Sequence, residues 1–134
     1  MNASAFSKII LFLSLFFTIL LAKAQVEISV GHNANELVQM LLGQGVTISN
    51  ITGSGLQSAT NPNIWQAGKF HGGLPDIGID SGIILTSGNA LLAQGPNNNG
   101  NSGYGAGNPG DLMLTNLAGV NTNDACILEF DFTP

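Results

Sequence analysis

Cys126-Ile127-Leu128-Glu129-Phe130-Asp131-Phe132 alternates so that Leu128, Phe130 and Phe132 share one face while Glu129 and Asp131 point away. Period-two alternation is the signature of a half-buried β-strand. Working back from it, Val26-Glu27-Ile28-Ser29-Val30 and Val46-Thr47-Ile48-Ser49 alternate in the same way. Gly82-Ile83-Ile84-Leu85-Thr86 is a continuous apolar run, which predicts a strand covered on both faces. Asn61-Pro62-Asn63 turns the chain into a further strand-like stretch from Ile64 to Phe70. Short strands punctuated by turns predict a mainly β fold, a sandwich or jelly-roll-like half carrying one or two short helices.

Two segments read as helices. Asn33 and Glu36 have capping-box spacing, Leu37, Met40 and Leu41 form an i, i+3, i+4 stripe, and Gly43 supplies the stop. Asp111 caps a second short helix that runs to Leu117 and ends near Gly119. Gly53-Ser54-Gly55 and Gly72-Gly73 turn the chain. From Gly95 to Gly110 runs a Gly/Asn-rich tract without periodicity, expected to be a mobile loop.

The beginning of the chain has a different character. Met1–Lys8 carries one lysine, Ile9–Leu21 has only Ser14 and Thr18 as polar residues, and Ala22-Lys23-Ala24 ends in the A-x-A pattern. That is the plan of a secretory signal peptide, and the apolar run is too short for a spanning helix. Residues 1–24 are therefore the expected signal and 25–134 one exported β domain, with no membrane insertion once the signal is removed. Cleavage is expected between Ala24 and Gln25. Mass spectrometry of exported material should find Gln25 at the N-terminus; an intact Met1 on secreted protein would refute this.

Past position 24 stand one lysine, Lys69, and eight carboxylates, a net charge of −7 with His neutral. Nucleic acids and anionic membranes are bound through Lys and Arg, so neither is an expected partner. Scattered acids keep an exported protein soluble, and they can also hold Ca²⁺. Asp80 and Asp111 are the candidate calcium ligands, the latter in Gly107-Asn108-Pro109-Gly110-Asp111. No other cofactor is expected. Cys126 is the one cysteine, so no internal disulfide forms, and with His32 and His71 it cannot complete a four-ligand zinc site. It reads as a small buried hydrophobe. A nucleophilic role would need one of those histidines beside it.

Other chemistry-bearing patterns are thin. Asp80-Ser81-Gly82 after Ile77-Gly78-Ile79 is the turn that aspartic proteases use in pairs. One copy would have to dimerise, and Ile83 stands where Ser or Thr is usual. Gly103-Tyr104-Gly105-Ala106-Gly107 neither follows a strand nor opens a helix, so it is no dinucleotide loop. Trp65 suits a sugar-stacking platform, but a core or half-buried Trp is commoner. Asn50-Ile51-Thr52 fits a glycosylation acceptor.

Several stretches, in order, resemble one family, the choice-of-anchor L domain of exported bacterial proteins, common in Bacteroidetes. They are Leu41–Asn50, Ala67–Phe70, Gly78–Gly88, Gly110–Leu112 with Leu117–Gly119, and Asp124–Pro134. The resemblance implies a secreted or cell-surface protein with no established catalytic residues. It also implies that the Leu128–Phe132 strand leads into a further strand and a Ser-Glu-Glu-Tyr motif, so a domain truncated at its C-terminal end is expected. Residues 25–134 alone would then be marginally stable or aggregate. The expected function is a non-catalytic extracellular module for adhesion, binding glycan or protein within a larger exported protein. The alternatives are a structural spacer, or a hydrolase using Asp80.

Overall fold

The computed structural model describes residues 26–42, 45–95 and 103–133. Among the described residues five strands form two antiparallel sheets, so the mainly β expectation holds. Strands β1 (Glu27–Val30), β3 (Ala67–His71) and β4 (Ser81–Leu85) pair in the order β1-β3-β4. Strands β2 (Thr47–Ser54) and β5 (Ile127–Thr133) make the second sheet. Three short helices intervene: α1 (Ala34–Leu41), the single turn α2 (Leu74–Ile77) and α3 (Leu112–Ala118). A 3₁₀ turn over Ala90–Gln94 rests on β1 and β3.

Helix α1 starts where its capping box dictates. Asn33 Oδ1 accepts from the Glu36 N–H at 3.0 Å, and the Asn33 N–H donates to Glu36 Oε2 at 2.9 Å. The helix touches β2 and β5 of one sheet and β4 of the other, so it ties the two together. Its fully buried residues are Leu37 and Val38. Met40 is only half-buried and Leu41 is 48% exposed, so of the predicted stripe only Leu37 is fully buried, with Val38 beside it. Contact with both sheets draws in the Leu37–Val38 side of the helix. Gly43, the expected stop, lies outside the described residues.

Three strand readings are corrected. The stretch Ile64–Phe70 becomes a strand only at Ala67, because Trp65 forms a single bridge with Gln57 and the Gln66 N–H is taken by the Leu56 carbonyl. The run Gly82–Thr86 is not covered on both faces. Strand β4 lies at the edge of its sheet, with Ile83 and Ile84 half-buried and Leu85 exposed. Strand β2 is longer than Val46–Ser49 and absorbs a bulge between Ser49 and Thr52. Gly53 and Ser54 belong to it, so Gly55 at φ +67° makes the turn.

Helix α3 stands where Asp111 and Gly119 place it, but it packs on little. Asp111 Oδ1 caps the Leu114 N–H at 2.8 Å, and Gly119 ends the helix at φ +68°. The Thr122 hydroxyl meets Thr115 Oγ1 at 2.7 Å and the Asp111 carbonyl at 3.1 Å. Leu112, Met113, Leu114 and Leu117 are all exposed. Polar bonds therefore hold this helix, not burial. Asp111→Ala should cost about 1 kcal/mol by removing the cap. Leu117→Gln should change stability by less than about 0.5 kcal/mol, the usual range for surface substitutions. Parallel urea titrations would check both, and the reverse order would show that α3 is packed.

Candidate functional site

The Gly/Asn-rich tract meets the core at its second half. Ala106 is fully buried and Asn108 nearly so, which corrects the expectation of a mobile loop for Gly103–Gly110. Residues 96–102 lie outside the described part. Asn108 is the reason for the docking. Its Nδ2 donates to the Gln57 carbonyl at 3.0 Å, to the Gly55 carbonyl at 3.3 Å, and to Gln66 Oε1. Its Oδ1 accepts from the Ala59 N–H at 2.8 Å. Asp124 completes the ring: its Oδ1 takes the Asn108 N–H at 2.9 Å, and its own N–H donates to the Asn108 carbonyl.

Gln66, fully buried, passes the network on, with Nε2 donating to the Thr86 and Asp124 carbonyls at 3.1 and 2.8 Å. Ser58 Oγ donates to the Ala106 carbonyl. Every buried side-chain polar atom among the described residues has a partner. A satisfied network of this kind fixes structure and leaves no free group for a ligand. The Gly107–Asp111 turn spends its polar atoms on the protein itself.

The candidate calcium ligands belong to different elements. Asp80 is an exposed turn residue between α2 and β4, its carbonyl accepting from the Gly73 N–H at 3.1 Å. Asp111 is the α3 cap. Among the described residues, no three His, Cys, Asp or Glu side chains converge as a metal would require. Trp65 is half-buried, with Gly31 beside its ring. Ala24 and Gln25 fall outside the described residues.

Cys126 is only half-buried, and its bond is to the Thr86 backbone, not to a histidine. Burial pushes its thiol pKa up, and the Thr86 bond opposes that only partly. Neutral thiol is thus favoured in the fold. The stability this contributes is fully present below the ordinary thiol value and is lost as pH rises through the raised one. Iodoacetamide should alkylate the folded chain more slowly than the urea-unfolded chain at pH 8. Equal rates would show an unshifted, open thiol.

His32 takes part in a polar string that the sequence reading missed. Its Nε2 lies 3.1 Å from Ser29 Oγ, and its Nδ1 lies 3.7 Å from Glu36 Oε2. The order is that of a nucleophile, base and acid. However, 3.7 Å is beyond hydrogen-bonding distance, and the same Glu36 oxygen already accepts from Asn33. The string closes the start of α1. The spacing Ser29-x-x-His32-x-x-x-Glu36 was the available signal.

A more open arrangement lies over the second sheet. A recess of about 610 Å³ is lined by Asn50, Thr52, Leu128, Glu129, Phe130 and Asp131. Asn50 sits in the β2 bulge with φ +52°, a backbone region that non-glycine residues rarely adopt and that Asn tolerates best. Its Nδ2 donates to Asp131 Oδ2 at 2.6 Å, while Thr52 Oγ1 donates to Glu129 Oε2 at 3.4 Å. All four of these polar residues are exposed. The alternation of β5 was legible in the sequence. The bulge that brings Asn50 over Asp131 was not.

Another recess, about 380 Å³, is walled by Leu85, Thr86, Leu114 and Cys126 among others. No helix among the described residues is long and apolar enough to cross a membrane. No curated protein and no solved structure matches the chain. The family model of the choice-of-anchor L domain matches residues 25–134, and the chain belongs to that family.

Proposed function

We propose that this chain is a non-catalytic binding module of an exported surface protein, engaging an extracellular glycan or protein through the outer face of β2 and β5. Family membership supports the surface-protein part of this reading. The binding part is carried by one observation: Asn50, Thr52, Glu129 and Asp131 stand exposed together around an open recess. Exposed amide, hydroxyl and carboxylate groups gathered around one recess suit sugar hydroxyls or a polypeptide backbone. The unusual backbone of Asn50 is of the kind that clusters at ligand sites.

The test is binding of the exported protein to glycan arrays and to immobilised extracellular proteins. Glu129→Gln with Asp131→Asn should weaken whatever binds by about tenfold or more, while Leu117→Gln leaves it unchanged. A protein that binds nothing on either surface would be a spacer. Pepstatin-sensitive proteolysis abolished by Asp80→Asn would instead establish the hydrolase.

A further inference from the structure

Strands β2 and β5 bring four polar side chains to one face. Thr52 stands directly opposite Glu129, and the bulge between Ser49 and Thr52 sets Asn50 over Asp131. They line the open recess of about 610 Å³, a size within the usual range of about 300–1,000 Å³ for small-ligand sites. These side chains stand off the face of the sheet. A strand pairing along β5 would lie beside them in the plane of the sheet and would not cover them.

The hydrogen bonds sort the groups into inward and outward sets. Asn50 Nδ2 donates to Asp131 Oδ2 at 2.6 Å, and Thr52 Oγ1 donates to Glu129 Oε2 at 3.4 Å. One N–H of the Asn50 amide is left as a donor. Among the described residues, no group donates to Asp131 Oδ1, Glu129 Oε1 or Asn50 Oδ1. Acceptors therefore outnumber donors on the open side. The lining holds two carboxylates and no cation; Lys69, the one basic residue past position 24, belongs to β3 of the other sheet.

That asymmetry selects the ligand. An acidic sugar meets two carboxylates and no cation to pair with it. A polypeptide backbone carries C=O acceptors and N–H donors in nearly equal number, so half of its polar groups find no partner on this face. A sugar hydroxyl rotates and can serve as a donor alone. Neighbouring hydroxyls of one ring can each donate to a carboxylate or amide oxygen. We propose that the face of β2 and β5 takes a neutral, hydroxyl-rich glycan and rejects glycans that carry carboxylate groups. The inference rests on the reading of β2 and β5 as the binding face, and it names the ligand class.

The experiment titrates the exported protein with oligomers of glucose, galactose and mannose, with the same oligomers O-methylated, and with the matching uronic acid oligomers. At least one neutral oligomer should bind. Its O-methylated form, stripped of donors, should not. Its uronic acid counterpart should bind about tenfold more weakly or worse at low salt, and salt near about 1 M should narrow that gap by screening. Glu129→Gln with Asp131→Asn should weaken the neutral oligomer and close the gap, while Glu129→Lys with Asp131→Lys should turn the preference toward the acid. Equal binding of neutral and acidic oligomers, or undiminished binding after O-methylation, would overturn the inference. A polypeptide that binds through Glu129 and Asp131 while no neutral oligomer does would overturn it and leave the binding face standing. Failure of both ligand classes would remove both.

Discussion

Replacement of Asn108 by alanine should destabilise the domain by about 3–5 kcal/mol, the range for breaking a buried hydrogen-bond network. The side chain donates to Gln66 Oε1 and to the Gly55 and Gln57 carbonyls, and it accepts from the Ala59 N–H. Alanine fills none of these roles. An unsatisfied buried polar group costs about 1–3 kcal/mol, and Gln66, fully buried, is out of reach of water. A small domain has about 5–15 kcal/mol of total stability, so this one change approaches the whole. Asn108→Asp should be at least as damaging, since it sets a carboxylate against three carbonyl oxygens. Chemical denaturation monitored through Trp65 would measure both. A loss below 1 kcal/mol would show that the Gly/Asn-rich tract is not held by this residue.

Gly55→Ala should cost about 2–5 kcal/mol for two separate reasons. Gly55 has φ +67°, where a β-carbon is strained by about 1–2 kcal/mol. A methyl group there would also run into the carbonyl of Ala125, just before β5. Backbone lies on both sides of the contact, so no side chain can rotate away, and overpacking of this kind costs about 1–3 kcal/mol. Gly119 separates the two effects. It has nearly the same φ, +68°, but nothing lies within 4 Å of its added β-carbon. Gly119→Ala should therefore lose only about 1–2 kcal/mol. Equal losses at both sites would mean that the approach of Gly55 to Ala125 is not tight.

Both sites lie where distant segments meet. Gly55 and Asn108 are 53 residues apart in sequence, and the bond between them joins the end of β2 to the Gly/Asn-rich tract. Asp124 and Ala125, just before β5, are bonded to the same tract. The β2–β5 pair and the polar network are thus joined through the backbone.

What the sequence determined by itself is local. Asn33 with Glu36, and Asp111 with Gly119, set the ends of two helices because a capping bond spans only three or four residues. Alternation set β1 and β5 and their faces, because the period of two is a property of the extended backbone itself. Family membership was also legible, being spread over ordered short stretches between Leu41 and Pro134. Tertiary structure decided the rest. The apolar run Gly82–Thr86 looked buried on both faces, yet Ile83 and Ile84 are half-buried and Leu85 exposed, and no local pattern encodes what packs over a strand. Gln66 and Asn108 gave no signal of burial, since a buried amide is stable only when partners from several segments close around it, 42 to 53 residues away for the Asn108 side chain. The bulge that lifts Asn50 over Asp131 belongs to the pairing of β2 with β5, 81 residues apart, and exists only once those strands meet.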